Sequence, residues 1–217
     1  MEEVAGMPLV GRPGFRSLLA VGAVLPLVVA GAALRAAPVA PPQGPYLGQA
    51  PPGRQPQVFA PGIVSTEQAE FAAALSPDGR EFHFTRRPTL DGGDNRLRVT
   101  EWRATGWTAP GPVPFGTDCV EYESFVAPDN RRLFFDSGRP RPDGAAARGS
   151  VWCVERTATG WGTARPLGDA VNGSHPMAVS ATRDGALYFT GSVDRRFGIW
   201  RAPRAGDDYG APEFLPP

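Results

Sequence analysis

The chain has 217 residues, of which 22 are acidic and 22 basic, every basic one being arginine. Zero net charge argues against a dedicated nucleic-acid binder, which needs a surplus of basic side chains on one face. An apolar share of 41% excludes a wholly disordered chain, and 27 glycines with 25 prolines favour many turns and short strands over long helices.

Residues 1–37 read as a secretory signal peptide or an uncleaved signal-anchor. Arg12 and Arg16 precede an uncharged stretch from Ser17 to Leu34, with small residues at Ala30, Gly31 and Ala32, and Arg35 closes it. The stretch reaches the lower limit for a membrane-spanning helix, so cleavage and membrane anchoring both stay open. Either way the remainder leaves the cytoplasm, to be periplasmic or secreted. Residues 38–57 hold seven prolines and a single charge, Arg54, the composition of an extended linker or stalk.

From residue 58 to the end the sequence repeats. Residues 70–79, 121–130 and 176–185 each end in Asp-Gly or Asp-Asn: Asp78 with Gly79, Asp129 with Asn130, Asp184 with Gly185. Each is followed by an aromatic run containing Phe84, Phe135 or Phe189. Each continues to an apolar segment and then to an aromatic at a constant offset, Trp107, Trp161 or Tyr209. Asp-Gly and Asp-Asn are hairpin chemistry, and the aspartates are expected to bond backbone amides two residues on. The runs between them read as strands. In the first unit these are about residues 71–75, 81–85 and 97–102, with a short outer strand near Val113. Four-stranded antiparallel sheets with apolar residues on both faces must stack on neighbours, with the three phenylalanines in the packing layer.

This pattern resembles the WD40-like, TolB-like β-propeller repeat: Ser-Pro-Asp-Gly, an aromatic strand, a tryptophan-bearing strand, then Gly-Trp and a Pro-x-Leu ending. The third unit departs from it, with Thr182 and Arg183 in place of Ser-Pro. The resemblance covers residues 58–217. It implies an all-β fold of propeller-type blades, each of four antiparallel strands, with blades at about 66–115, 116–169 and 170–217. Three blades make an incomplete or open propeller. Val58, Phe59 and Ala60 resemble the outer-strand ends of the other units, so they read as the outer strand of a further blade. Because the last unit owns an ending of its own, the ring is not expected to close within one chain. A homo-oligomer or a longer gene product would complete it.

The sequence holds no recognisable catalytic set. No nucleophile elbow, phosphate loop or dinucleotide fingerprint occurs, nothing calls for a cofactor, and the two histidines and two cysteines are not spaced as a metal site. His83 reads as a packed aromatic on the second strand. The stretch before and at the start of each first strand carries Glu70, Glu121, Glu123 and His175. The resemblance places it near a central channel, where a ring of these groups could bind a cation, a peptide or a sugar. The arginines at 139–148 and 195–196 read as solvated loop residues. Cys119 lies before the first strand of its unit and Cys153 on the third, too wide a separation for a bridge unless the chain before the first strand curls back. The expected function is an exported, non-catalytic scaffold with a protein or glycan partner at the cell envelope. The alternative is a fragment of a propeller-type hydrolase or lyase with a carboxylate-lined channel mouth.

Overall fold

The computed structural model describes residues 41–144 and 149–216. The expected signal segment, residues 1–37, lies outside the described residues. The described chain is all-β and antiparallel, with one short helix and one 3-10 turn at Tyr46–Gly48.

The first sheet is formed by β1 (Ala69–Leu75), β2 (Glu81–Arg87) and β3 (Arg96–Arg103). The two-residue β4 (Gly106–Trp107) folds back on β3, and β5 (Gly111–Pro112) pairs along the outer edge of β3. The second repeats this plan with β6 (Glu121–Val126), β7 (Arg132–Ser137), β8 (Ser150–Thr157), the hairpin strand β9 (Gly160–Trp161) and the edge strand β10 (Arg165–Pro166). After the single-turn helix α1 (Asp169–Asn172), the third comprises β11 (Met177–Ala181), β12 (Leu187–Val193) and β13 (Arg196–Ala202). The hairpin of β14 (Arg204–Ala205) and β15 (Asp208–Tyr209) follows, and β16 (Glu213–Leu215) closes the outer edge.

Each first hairpin turns on the repeated aspartate. Asp78 Oδ1 accepts from Arg80 N at 3.0 Å, Asp129 Oδ1 from Arg131 N at 2.9 Å, and Asp184 Oδ1 from Ala186 N at 3.4 Å. Only the second residue of each pair is left-handed: φ is +71° at Gly79, +56° at Asn130 and +88° at Gly185. The loops are therefore wider than a two-residue hairpin in which both central residues have positive φ. In the first, Ser76 N donates to Glu81 O at 2.8 Å, and the Ser76 hydroxyl accepts from Glu81 N at 2.9 Å.

The strand period of two gives each sheet two distinct apolar faces. Phe135, with Leu133 and Trp152, packs on Leu97, Val99 and Val113 of the first sheet. Phe189, with Leu187 and Trp200, packs on Val151, Cys153 and Leu167 of the second. Successive sheets thus stack in chain order with the same face turned back each time. Full burial of each phenylalanine contributes about 1.5–3 kcal/mol.

Phe84 occupies the equivalent place in the first sheet, which has no preceding sheet among the described residues, and its cover comes from the Pro-rich stretch and the residues just after it. Leu47, Ala60 and Val64 pack on Phe82, Phe84 and Trp107. Trp107 Nε1 donates to Gly44 O at 2.8 Å, and Trp107 N to Pro42 O at 3.0 Å. Over its described part, then, the segment expected to be a bare spacer is a cap. Val58, Phe59 and Ala60 likewise do not form an outer strand. Phe59 stacks on Phe82 with ring centroids 4.8 Å apart, and Ala60 bonds through its amide to Gln49 Oε1. Proline bars regular hydrogen-bonded structure but not side-chain packing, and that packing is what composition failed to reveal. At the opposite end, the outer face of the third sheet leaves Met177, Phe197 and Ile199 exposed.

Candidate functional site

The first strands β1, β6 and β11 share one irregularity, a β-bulge centred on a left-handed residue: Ala72 (φ +51°), Glu123 (φ +54°) and Ala178 (φ +51°). A bulge turns the local backbone amide away from its own ladder. Here the freed amides join neighbouring sheets. Glu123 N donates to Thr85 Oγ1 of the first sheet at 3.0 Å, and Ala178 N donates to Glu123 Oε2 of the second at 3.0 Å.

The four candidate residues separate into three roles. Glu70 and Glu121 stand at matching positions in matching clamps. Glu70 accepts from the Thr66 hydroxyl at 2.6 Å and from Arg86 Nε at 2.9 Å. Glu121, 1% exposed, accepts from the Thr117 hydroxyl and from Arg139 Nε, each at 2.7 Å. Both arginines also bond loop carbonyls and lie over a phenylalanine, Arg86 on Phe84 and Arg139 on Phe135. These carboxylates are neutralised, desolvated fasteners that tie the segment before the first strand to the sheet. The third unit has Pro176 at the glutamate position. There Asn172 takes over, bonding Val151 N at 2.8 Å and Leu167 O at 2.6 Å.

Glu123 bridges three sheets as described. His175 is exposed, has φ +50°, and makes no hydrogen bond or ion pair with any described residue. The structure therefore does not gather the four into one cluster. Arg139, expected in solvent, is instead a clamp residue, and Arg141 pairs with Asp169 at 2.7 Å. Residues 145–148 of that arginine group lie outside the described residues. Arg196 stacks on Phe214.

Two sites were not foreseen. Asp136 is 1% exposed, and neither carboxyl oxygen meets a hydrogen-bond donor. Burial first, and then the neighbouring Glu123, push its pKa up to about 8. The same pair of carboxyls, added to burial, raises that of Tyr122. A signal was present in the repeat: Asp136 stands where the other units have Thr85 and Thr190.

The second site is centred on Glu81, between the first and second sheets. It accepts from Arg156 Nη1 at 2.7 Å and Trp161 Nε1 at 3.1 Å, and its Oε2 lies 2.9 Å from His83 Nε2. Burial works to raise the Glu81 pKa, but the bonds from His83 and Arg156 prevail and hold it at about 2. His83 is fully buried, its ring edge-on to Trp161. Cys119 and Cys153 are free thiols, and burial pushes that of Cys153 up to about 12.

A cavity of about 570 Å³ opens at the rim between the first two sheets and is lined by Arg96, Arg98, Val113, Thr117 and Asp118. Among the described residues no group of three His, Cys, Asp or Glu side chains is arranged to hold a metal ion. No protein-family model matches the chain, and no curated protein matches it.

Proposed function

We propose that this chain is an exported, non-catalytic scaffold of three propeller-type blades that binds a protein or glycan partner at the cell envelope. The observation that carries the reading is the stacking of three antiparallel sheets in chain order. The same face is turned back each time, and the bulge amides of β6 and β11 each bond the preceding sheet, at Thr85 of β2 and at Glu123 of β6. That is the arrangement expected of blades wedged around an axis, with first strands innermost. The likeness is one of architecture, which hosts many activities, so function rests on the surface the sheets present. Glu70 and Glu121 are held by Arg86 and Arg139, which removes the main motive for a hydrolase or lyase reading. A carboxylate pair for such chemistry must reach substrate.

Further blades from another chain would meet the exposed face of Met177, Phe197 and Ile199. The back of the first sheet is occupied by the chain's own cap. Light scattering on the full chain, with a panel of peptides and glycans, tests the proposal. Expected are saturable binding without turnover, sensitive to His175→Ala at the exposed rim, and a mass above that of one chain. Turnover of any panel member that is lost in Glu123→Gln, with folding intact, would favour the enzyme reading instead.

A further inference from the structure

The seam between the second and third sheets breaks a rule that the first seam obeys. In the first, Thr85 in the second half of β2 accepts the bulge amide of the next sheet, Glu123 N. By repeat, Asp136 should accept Ala178 N. The Glu123 side chain has entered the seam and taken that amide itself, through Oε2. Asp136 is left in the interior with two acceptor oxygens and no N–H or O–H donor. The group that faces it is the Glu123 carboxyl.

Two carboxylates cannot bond each other; a carboxylic acid and a carboxylate can, by a short, charge-assisted hydrogen bond. We propose that Asp136 and Glu123 share one proton, and that this pair is a pH-sensitive latch between the second and third sheets. With the proton in place, Glu123 is held against Asp136 and keeps its bond to Ala178. When the proton leaves, two negative charges meet where solvent cannot screen them. The less buried Glu123 is then driven out and the Ala178 contact is lost. The other groups facing the pair do not supply a positive charge. Tyr122 lies beside Asp136 on the neighbouring strand, Val151 stands opposite it on β8, Thr85 is a hydroxyl, and the third sheet contributes the Ala178 amide.

Asp136 has its pKa raised from 3.8 to about 8, so its linkage sign is that of a group kept protonated by folding. Stability is full below the unfolded value and is lost as pH rises towards and through 8. The test is a carboxyl ¹³C titration of the full chain by NMR from pH 5 to 9.5, with the Asp136 signal assigned by its loss in Asp136→Asn. Hydrogen exchange of the Ala178 amide is followed alongside. The expected result is a carboxyl still protonated at pH 7 that titrates near pH 8. Ala178 exchange should accelerate beyond its intrinsic pH dependence in the same window. Glu123→Gln supplies a permanent donor, should move the titration to lower pH, and provides the assignment if Asp136→Asn does not fold. The proposal is overturned if every carboxyl is ionised by pH 6, or if added calcium shifts the Asp136 signal at neutral pH, which would mean that a cation occupies the pair.

Discussion

Arg156, at the end of β8, reaches across to the preceding sheet and donates to Glu81 at 2.7 Å, while its guanidinium lies 4.1 Å from the centre of the Trp161 ring. Glu81 also accepts from the Trp161 indole, so one carboxylate binds three groups from two sheets. The next seam keeps the positions and changes the chemistry. Arg132 stands at the place of Glu81 and donates to the hydroxyl of Tyr209, the counterpart of Trp161, at 3.2 Å.

Replacing Glu81 by glutamine leaves Arg156 without its counter-charge in a mostly buried seam and should cost about 2–3 kcal/mol. Denaturant unfolding at pH 7 checks the value. Glu81 has a depressed folded-state pKa, so its contribution is present above pH 4.5 and fades as pH falls towards 2. The difference between wild type and variant should shrink along that path.

The clamps make Glu70 and Glu121 matters of stability. Glu121→Ala uncovers the buried Arg139 and should destabilise by about 3 kcal/mol, with Glu70→Ala, in a slightly more open site, costing about 2. If either residue served a ligand directly, its replacement would weaken binding while leaving the denaturation midpoint in place, and the two measurements separate these roles.

Trp107 ties the cap to the first sheet. Trp107→Ala should cost about 3–5 kcal/mol through lost packing. It should also make residues 49–58 susceptible to limited proteolysis, read by mass spectrometry of the first fragments. Trp107→Phe keeps much of the packing and loses the Gly44 bond, so it should show a smaller effect of the same kind.

Much of this architecture was legible because the repeat is written in turn chemistry. Asp78, Asp129 and Asp184 mark the hairpins, and the alternation around Phe84, Phe135 and Phe189 marks the faces. Other features depend on contacts between distant residues. Nothing local in Leu47 or Phe59 says that they cover Phe82 and Phe84. Glu70 and Glu121 looked like accessible acids because their arginines, at 86 and 139, hold different positions in their units and do not stand out by repetition. Asp136 was readable in principle, as a carboxylate at a threonine position. Its burial and the intrusion of Glu123 follow from the bulge, which no residue type announces.

Phe135→Ala opens the interface between the first and second sheets and should cost about 3–5 kcal/mol. If the sheets stack as described, this loss should be accompanied by faster hydrogen exchange in both β3 and β7, whereas an isolated hairpin would transmit nothing to β3.

The most direct examination of the stacked-sheet arrangement is a through-space NMR measurement on aromatic rings from different sheets. His83 and Trp161, with ring centroids 6.3 Å apart, and Phe134 and Tyr209, also at 6.3 Å, should both give ring-to-ring cross-peaks. Absence of both pairs in a folded sample, with cross-strand contacts inside each sheet preserved, would mean that the three sheets form without packing on one another.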